Sequence, residues 1–257
     1  MSSEMGQWAA ATRSPIAKSP TSATPADYRP ITELPVLTRL LHLLVATQVD
    51  RWLTTHHKIS VTQAGFRRGR TTLEHAANLL TLAGLQQSLQ RELYMAFLDI
   101  MKASNSISHA QLLDVLRVVL GLPAPWVEVI RLLLIGLSTT IMGKVVPITR
   151  GTPQGSPLSP LLCVCFMEDL SRYLQRRGPC PGQPGIHLLD QLHQELQPIS
   201  SDYWITRTLL LFADDVGTPA SSITALHWSI SGVTAWSAAR DLNISPKSNA
   251  IRPQPQP

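Results

Sequence analysis

Three acids are placed where they could do chemistry: Asp99, Asp214 and Asp215. The run Leu209-Leu210-Leu211-Phe212-Ala213 leads straight into the adjacent carboxylates, and Val216 is apolar again. Read as strand, tight turn and strand, it holds two like charges on an otherwise buried element. Desolvating such a pair is costly unless a cation sits beside it. By itself the pair fits an exposed surface turn. Asp99 changes this, because Tyr94-Met95-Ala96-Phe97-Leu98 also reads as a buried strand and Asp99 stands at its end. Two strand-borne carboxylate sites could converge on one sheet edge. Their oxygens suit Mg²⁺, which keeps some water and accepts phosphate oxygens as further ligands. Two such ions about 3.5–4 Å apart stabilise the attacking and leaving oxygens of an in-line phosphoryl displacement.

The chain that must position these acids has 257 residues, 44% hydrophobic and 15% charged, enough for a sizeable core. Lys and Arg number 22 against 17 Asp and Glu, a formal charge of +5. The excess lies before Phe97, with 10 basic and 6 acidic residues there against 12 and 11 afterwards. A basic module beside an acid-bearing one suits an enzyme that holds nucleic acid with one part and metal with the other. Cys163, Cys165 and Cys180 make no disulfide framework, so a reduced intracellular compartment is expected. No apolar run reaches membrane-spanning length, and no membrane partner is expected.

Residues 1–27 are rich in Ser, Thr, Ala and Pro and are expected to form a flexible lead-in. Helices are expected over 34–52, with Leu37, Leu40, Leu41, Leu44, Val45 and Val49 as the apolar stripe, and from Thr72 to about 90. Ser108 is expected to cap a third helix, through Val119, and a fourth spans 125–137. Gly143-Lys144 signals a hairpin, and a Gly/Pro-dense loop over 150–160 feeds an apolar helix over 161–174. Residues 177–203 read as an insertion, 221–240 as a last helix, and 252–257 as a Pro/Gln tail. Mixed helices and antiparallel hairpins argue α+β.

Ordered blocks now become recognisable. They are Pro15-Ile16-Ala17-Lys18 with Tyr28-Arg29-Pro30-Ile31; Gln63-Ala64-Gly65-Phe66-Arg67; Phe97-Leu98-Asp99-Ile100-Met101-Lys102-Ala103; Gly151-Thr152-Pro153-Gln154-Gly155-Ser156-Pro157-Leu158-Ser159-Pro160; Phe212-Ala213-Asp214-Asp215; and Pro246-Lys247-Ser248. Over roughly residues 15–251 the chain resembles the reverse transcriptase domain of non-LTR (LINE-like) retrotransposons. The resemblance implies a right-hand polymerase with a fingers-like region over 28–97 and a palm-like region over 98–251, the thumb absent. It implies that Asp99, Asp214, Asp215 and the carbonyl of Ile100 hold two Mg²⁺. Arg29 and Lys18 would lie over the incoming dNTP. Gln154 and Gly155 would shape the floor under the template–nucleotide pair, and Lys247 would protonate the pyrophosphate. Arg67, Arg68 and Arg70 are expected on the template backbone, in a salt-dependent, sequence-independent way. The implied partners are an RNA template and a nucleic-acid primer, and the implied place of action is the nucleus.

One departure bears on chemistry. The family continues Ala-Phe-Asp after the first acid, where this chain has Ala103-Ser104-Asn105. Ser104 takes the place of the aromatic that lies under the sugar, so weaker rejection of ribonucleotides is expected. Ser104, Asn105 and the expected lack of a thumb support an alternative: a catalytically inactive, truncated retroelement remnant that at most binds RNA. A viral-type RNA-dependent RNA polymerase shares the two-metal palm, but Phe212-Ala213-Asp214-Asp215 and the Gln154 loop point away from it.

Overall fold

The structure, a computed structural model, describes residues 12–17, 20, 21, 24, 28–135, 137–141, 144–182 and 209–251. Helices and antiparallel strands mix along the chain, giving an α+β architecture. The chain forms two compact units, each discontinuous in sequence. One takes the described residues up to Lys58 with Lys102–Phe166; the other takes Ile59–Met101 with the described residues from Met167 onward.

In the first unit, strand β1 (Thr12–Ala17) pairs antiparallel with β2 (Tyr28–Glu33). Residues 12–17 therefore depart from the expected flexible lead-in. Pro15 stands opposite Pro30, so two residues that cannot donate to a ladder face each other. Helix α1 (Val36–Thr55) buries His42, Val45, Ala46, Val49 and Leu53. Leu37, Leu40, Leu41 and Leu44, expected in that stripe, are exposed. The helix is apolar on more than one face, and on the inward one His42 Nδ1 lies 2.6 Å from Ser156 Oγ. Burial holds the His42 imidazole below its ordinary pKa.

The short helix α3 (Ala103–Ser106) precedes α4 (His109–Asp114), which widens into a π-helical turn over Val115–Val119. Ser108 is extended at the start of α4 but makes no capping hydrogen bond. Leu112, Leu116 and Leu120 pack with Ile130 and Leu134 of α5 (Ala124–Ile135) as the core here. Strands β4 (Ser138–Ile141) and β5 (Lys144–Pro147) pair antiparallel. Ile141 faces Lys144, so the lysine expected in the turn belongs to the strand; residues 142–143 lie outside the described residues. Helix α6 (Ser159–Arg177) starts in this unit and ends in the second.

The second unit is built on a four-stranded antiparallel sheet, in the order β6 (Leu210–Phe212), β7 (Asp215–Ala220), β3 (Tyr94–Asp99), β8 (Asn249–Ile251). Residues 62–64 lie along the outer side of β6. Leu211 N donates to Thr62 O at 2.8 Å, and Ala64 N donates to Leu211 O at 2.9 Å. That pairing covers an edge that would otherwise offer unpaired backbone groups. Helix α2 (Thr72–Ser88) follows this segment, and α7 (Ile223–Ala239) packs against β3 and β7. Ser222 caps α7, accepting from Ala225 N at 3.1 Å. Along β3, Phe97 and Asp99 alternate onto the face that stays open. The expected insertion over 177–203 lies, from residue 183 on, outside the described residues, and so does the expected tail. No helix among the described residues is long and apolar enough to cross a membrane.

Candidate active site

Strand register brings the three acids together. Asp99 and Asp215 are direct partners across the β3–β7 ladder. Phe212 pairs with Asp215, leaving Ala213 and Asp214 as a two-residue turn. Ala213 has φ of +58°, a left-handed conformation that costs a non-glycine residue about 1–2 kcal/mol. Desolvation, with the charges of Asp215 and Asp99, pushes the Asp214 carboxyl above the ordinary aspartate range. Desolvation and Asp99 push Asp215 in the same direction. Neighbouring carboxylates, one half-buried and two open to solvent, are an oxygen donor set that suits a hard cation. Among the described residues no three His, Cys, Asp or Glu side chains close into a cage. Mg²⁺ does not require one, because water and phosphate oxygens complete its shell.

Ile100 is buried and bridges antiparallel to Ile244. Ser245 N donates to Asp99 O at 2.7 Å, and Met101 N donates to Asn243 O at 2.8 Å. Alternation along the strand then turns the Ile100 carbonyl to its opposite edge, the one along which Asp215 pairs. Lys247 lines the same cavity as Phe97, Asp99, Phe212, Asp215 and Ser248. Ser248 Oγ accepts from Asp99 N at 3.2 Å, tying the lysine turn to the strand end.

The acid turn leans on residues 63–65. A Cβ at Gly65 would overlap the backbone nitrogen of Ala213. Gly65→Ala is therefore expected to displace the turn at a cost of about 1–3 kcal/mol. A fall in the urea midpoint of the purified variant checks this; an unchanged midpoint would contradict it.

The first unit gathers a second group of expected residues. Gln154 Nε2 donates to Asn105 Oδ1 at 3.1 Å, and Thr32 N donates to Gln154 O at 2.6 Å. Gly155, with φ of +118°, lies so close to β2 that a Cβ would stand 2.5 Å from Thr32 O. Its freedom thus serves chain packing beside the strand that bears Arg29. Ser104 is half-buried, its Oγ 3.9 Å from Cys163 Sγ and its carbonyl accepting from Thr152 N at 2.8 Å. Lys102 and Arg150, to which sequence reading assigns no role, line a polar cavity with Thr32, Asn105, Thr152 and Gln154. Arg29 lies in β2 opposite Ile16, and Lys18 is outside the described residues.

The basic loop differs from expectation in detail. Arg67 donates to the carbonyls of Ser60 at 2.8 Å and Gln63 at 3.2 Å. Arg70 donates to Val61 O at 2.6 Å and pairs with Glu74 at 2.7 Å. Both guanidiniums brace the loop, and Arg68 stays exposed. Sequence reading also assigns no role to Gln63 or Ser248, whose bonds to Ala213 and Asp99 join segments far apart in the chain.

Comparison with known proteins agrees with this geometry. The family profile described as "Reverse transcriptase (RNA-dependent DNA polymerase)" matches residues 16–252. The chain is 32% identical over 169 residues to the retrovirus-related Pol polyprotein from type-2 retrotransposable element R2DM of Drosophila melanogaster, covering 62% of this chain and 15% of that one. It is 26% identical over 238 residues to the Pol polyprotein from type-1 retrotransposable element R2 of Nasonia vitripennis, covering 90% of this chain and 21% of the relative. The chain thus spans a small part of the length of these relatives. Among solved structures, apo telomerase from Candida tropicalis superposes with a TM-score of 0.64 at 10% identity, covering 99% of this chain and 46% of the telomerase. That likeness extends to the fold.

Proposed function

From the premise that the chain belongs to the reverse transcriptase family, with relatives among R2 and other non-LTR retrotransposons, we propose that it carries the nucleotidyl-transfer centre of an RNA-directed DNA polymerase. The observation that carries the proposal is the pairing of Asp99 with Asp215 beside Asp214 at one sheet edge. These carboxylates, with the Ile100 carbonyl, would hold two Mg²⁺. When bound, the ions lower the barrier to attack by a primer 3′-hydroxyl and neutralise charge on the triphosphate. The chain's own groups do the rest. The open face at Phe97 receives the primer end beside the acids. Lys247 holds a proton on Nζ for the pyrophosphate that departs. Arg29 and Lys18 bind the triphosphate as charged donors. The Gln154–Gly155 loop, braced on Thr32, supports the template–nucleotide pair. Arg68 meets the template backbone, while Arg67 and Arg70 hold the loop in shape. RNA template, primer and dNTP are the substrates, and action is nuclear.

Ser104 and Asn105 carry the remnant reading. Asn105 nevertheless has a defined place, because its Oδ1 accepts from Gln154. Primer extension on poly(rA)/oligo(dT) with Mg²⁺ separates the two readings. Extension that Asp214→Asn abolishes supports the polymerase; RNA binding without extension supports the remnant. Ser104 sets a further expectation. The wild type should discriminate poorly against rNTPs, and Ser104→Phe should raise dNTP selectivity by roughly tenfold or more. Incorporation assays with matched dNTP and rNTP check this, and equal selectivity in both proteins would sink it.

A further inference from the structure

Gln63 is fully buried, and the hydrogen bonds of its side-chain amide go to the acid turn and to the glycine packed against it. Its Nε2 donates to Ala213 O at 3.0 Å. Its Oε1 accepts from Ala213 N at 2.9 Å and from Gly65 N at 2.8 Å. One side-chain amide thus captures both backbone groups of Ala213, as a neighbouring strand would. Ala213 is also the non-glycine residue held at φ of +58° immediately before Asp214. A strained conformation persists only where its surroundings over-determine it. Nothing else at the turn offers both a donor and an acceptor to that one residue among the hydrogen bonds of the described residues.

We propose that Gln63 is a positioning residue: its amide clamps Ala213 in the left-handed conformation and thereby sets Asp214 and Asp215 against Asp99 for cation binding. The proposal rests on the reading of the acids as a divalent-cation centre. Without the clamp, Ala213 relaxes toward an ordinary backbone conformation and swings both carboxylates away from their register with β3. The amide's own bonds reach Ala213 and Gly65 and none of the carboxylates, so its effect passes through the turn. Groups of this kind, behind the ligands of a metal, typically change affinity by about 10–100-fold when removed.

The test uses the full chain and Mn²⁺ alone, followed by the electron paramagnetic resonance of the free ion. Gln63→Met keeps the length of the side chain and removes all three bonds. It is compared with Leu226→Ala, at a buried residue of α7 that serves as a general destabilisation control. The expected result is Mn²⁺ affinity at least about tenfold weaker for Gln63→Met and unchanged for Leu226→Ala. Equal affinity in Gln63→Met and the wild type, or equal losses in the two variants, would overturn the proposal. If Gln63→Met does not fold, the double variant with Ala213→Gly replaces it, because glycine takes positive φ without strain. Mn²⁺ affinity within about threefold of wild type in that variant supports a clamp against strain; a loss as large as tenfold overturns it. A wild type that binds no Mn²⁺ overturns the metal reading instead. Amide exchange then decides the clamp: it stands if Gln63→Met exposes the Ala213 N–H before its core opens, and falls if both exchange together.

Discussion

Asp214→Asn is expected to lower primer extension by at least about 10³-fold, since it removes a carboxylate from the centre that stabilises charge in the transition state. The same variant should be more stable than the wild type when no divalent ion is present. The sign follows from the direction of the shifts. Burial and neighbouring charge raise the Asp214 and Asp215 carboxyls in the fold, so the folded chain binds more protons than the unfolded one between the ordinary aspartate pKa and the raised values. The folded state therefore loses stability as pH rises through that window, and the loss persists at neutral pH. Asparagine carries no charge to desolvate. A melting temperature above wild type at pH 7, with the gap closing below the ordinary aspartate pKa of about 4, is the expected outcome. Added Mg²⁺ should raise the wild type and leave the variant nearly unmoved. A variant less stable than wild type at pH 7 without metal would contradict the electrostatic account.

Asp169→Ala carries the second large effect, on stability. Asp169 is buried on α6, and its Oδ2 accepts from Trp236 Nε1 at 2.7 Å and from Arg240 Nε at 3.0 Å, with a second Arg240 nitrogen beside it. Removing the carboxylate takes away the acceptor that the indole N–H and the guanidinium share, and with it the guanidinium's counter-charge. Breaking a buried pair in this way costs about 3–5 kcal/mol, and the part-exposed Arg240 places this case at the lower end. The melting temperature should fall by roughly 6–12 °C. Asp169→Asn keeps an acceptor for the indole and should lose less. Because α7 packs on β3 and β7, which carry Asp99 and Asp215, the alanine variant should also lose activity at temperatures where the wild type is still folded. Thermal unfolding of the three proteins side by side checks the order; an alanine variant that melts with the wild type would contradict it.

What can be read from the chain is what local pattern encodes. Asp99 and Asp215 end or begin apolar strands, so their convergence follows from strand patterning once the strands pair. The two-residue acid turn and most helices follow from the same kind of signal. Strand β1 is not legible, because its sequence mixes Arg, Ser and Pro without alternation and its order comes from backbone pairing with β2. The orientation of α1 is not legible either. Leucines populate several of its faces, and the buried one carries His42, bonded to a loop 114 residues away, beside Val45, Val49 and Leu53. The roles of Gln63, Arg67 and Arg70 depend on carbonyls and amides brought together by the fold, to which charge counting is blind. Asp169 interrupts an apolar helix with no partner in sight until Trp236 and Arg240 arrive beside it.

The central claim is that the acids at this sheet edge form a polymerisation centre that copies RNA. Its most direct test is dTMP incorporation on poly(rA)/oligo(dT) by the purified 257-residue chain across a Mg²⁺ titration, run beside Asp215→Asn. The account predicts Mg²⁺-dependent extension by the wild type and none by the variant. Extension by both, or no extension by the wild type at any Mg²⁺ concentration, would contradict it.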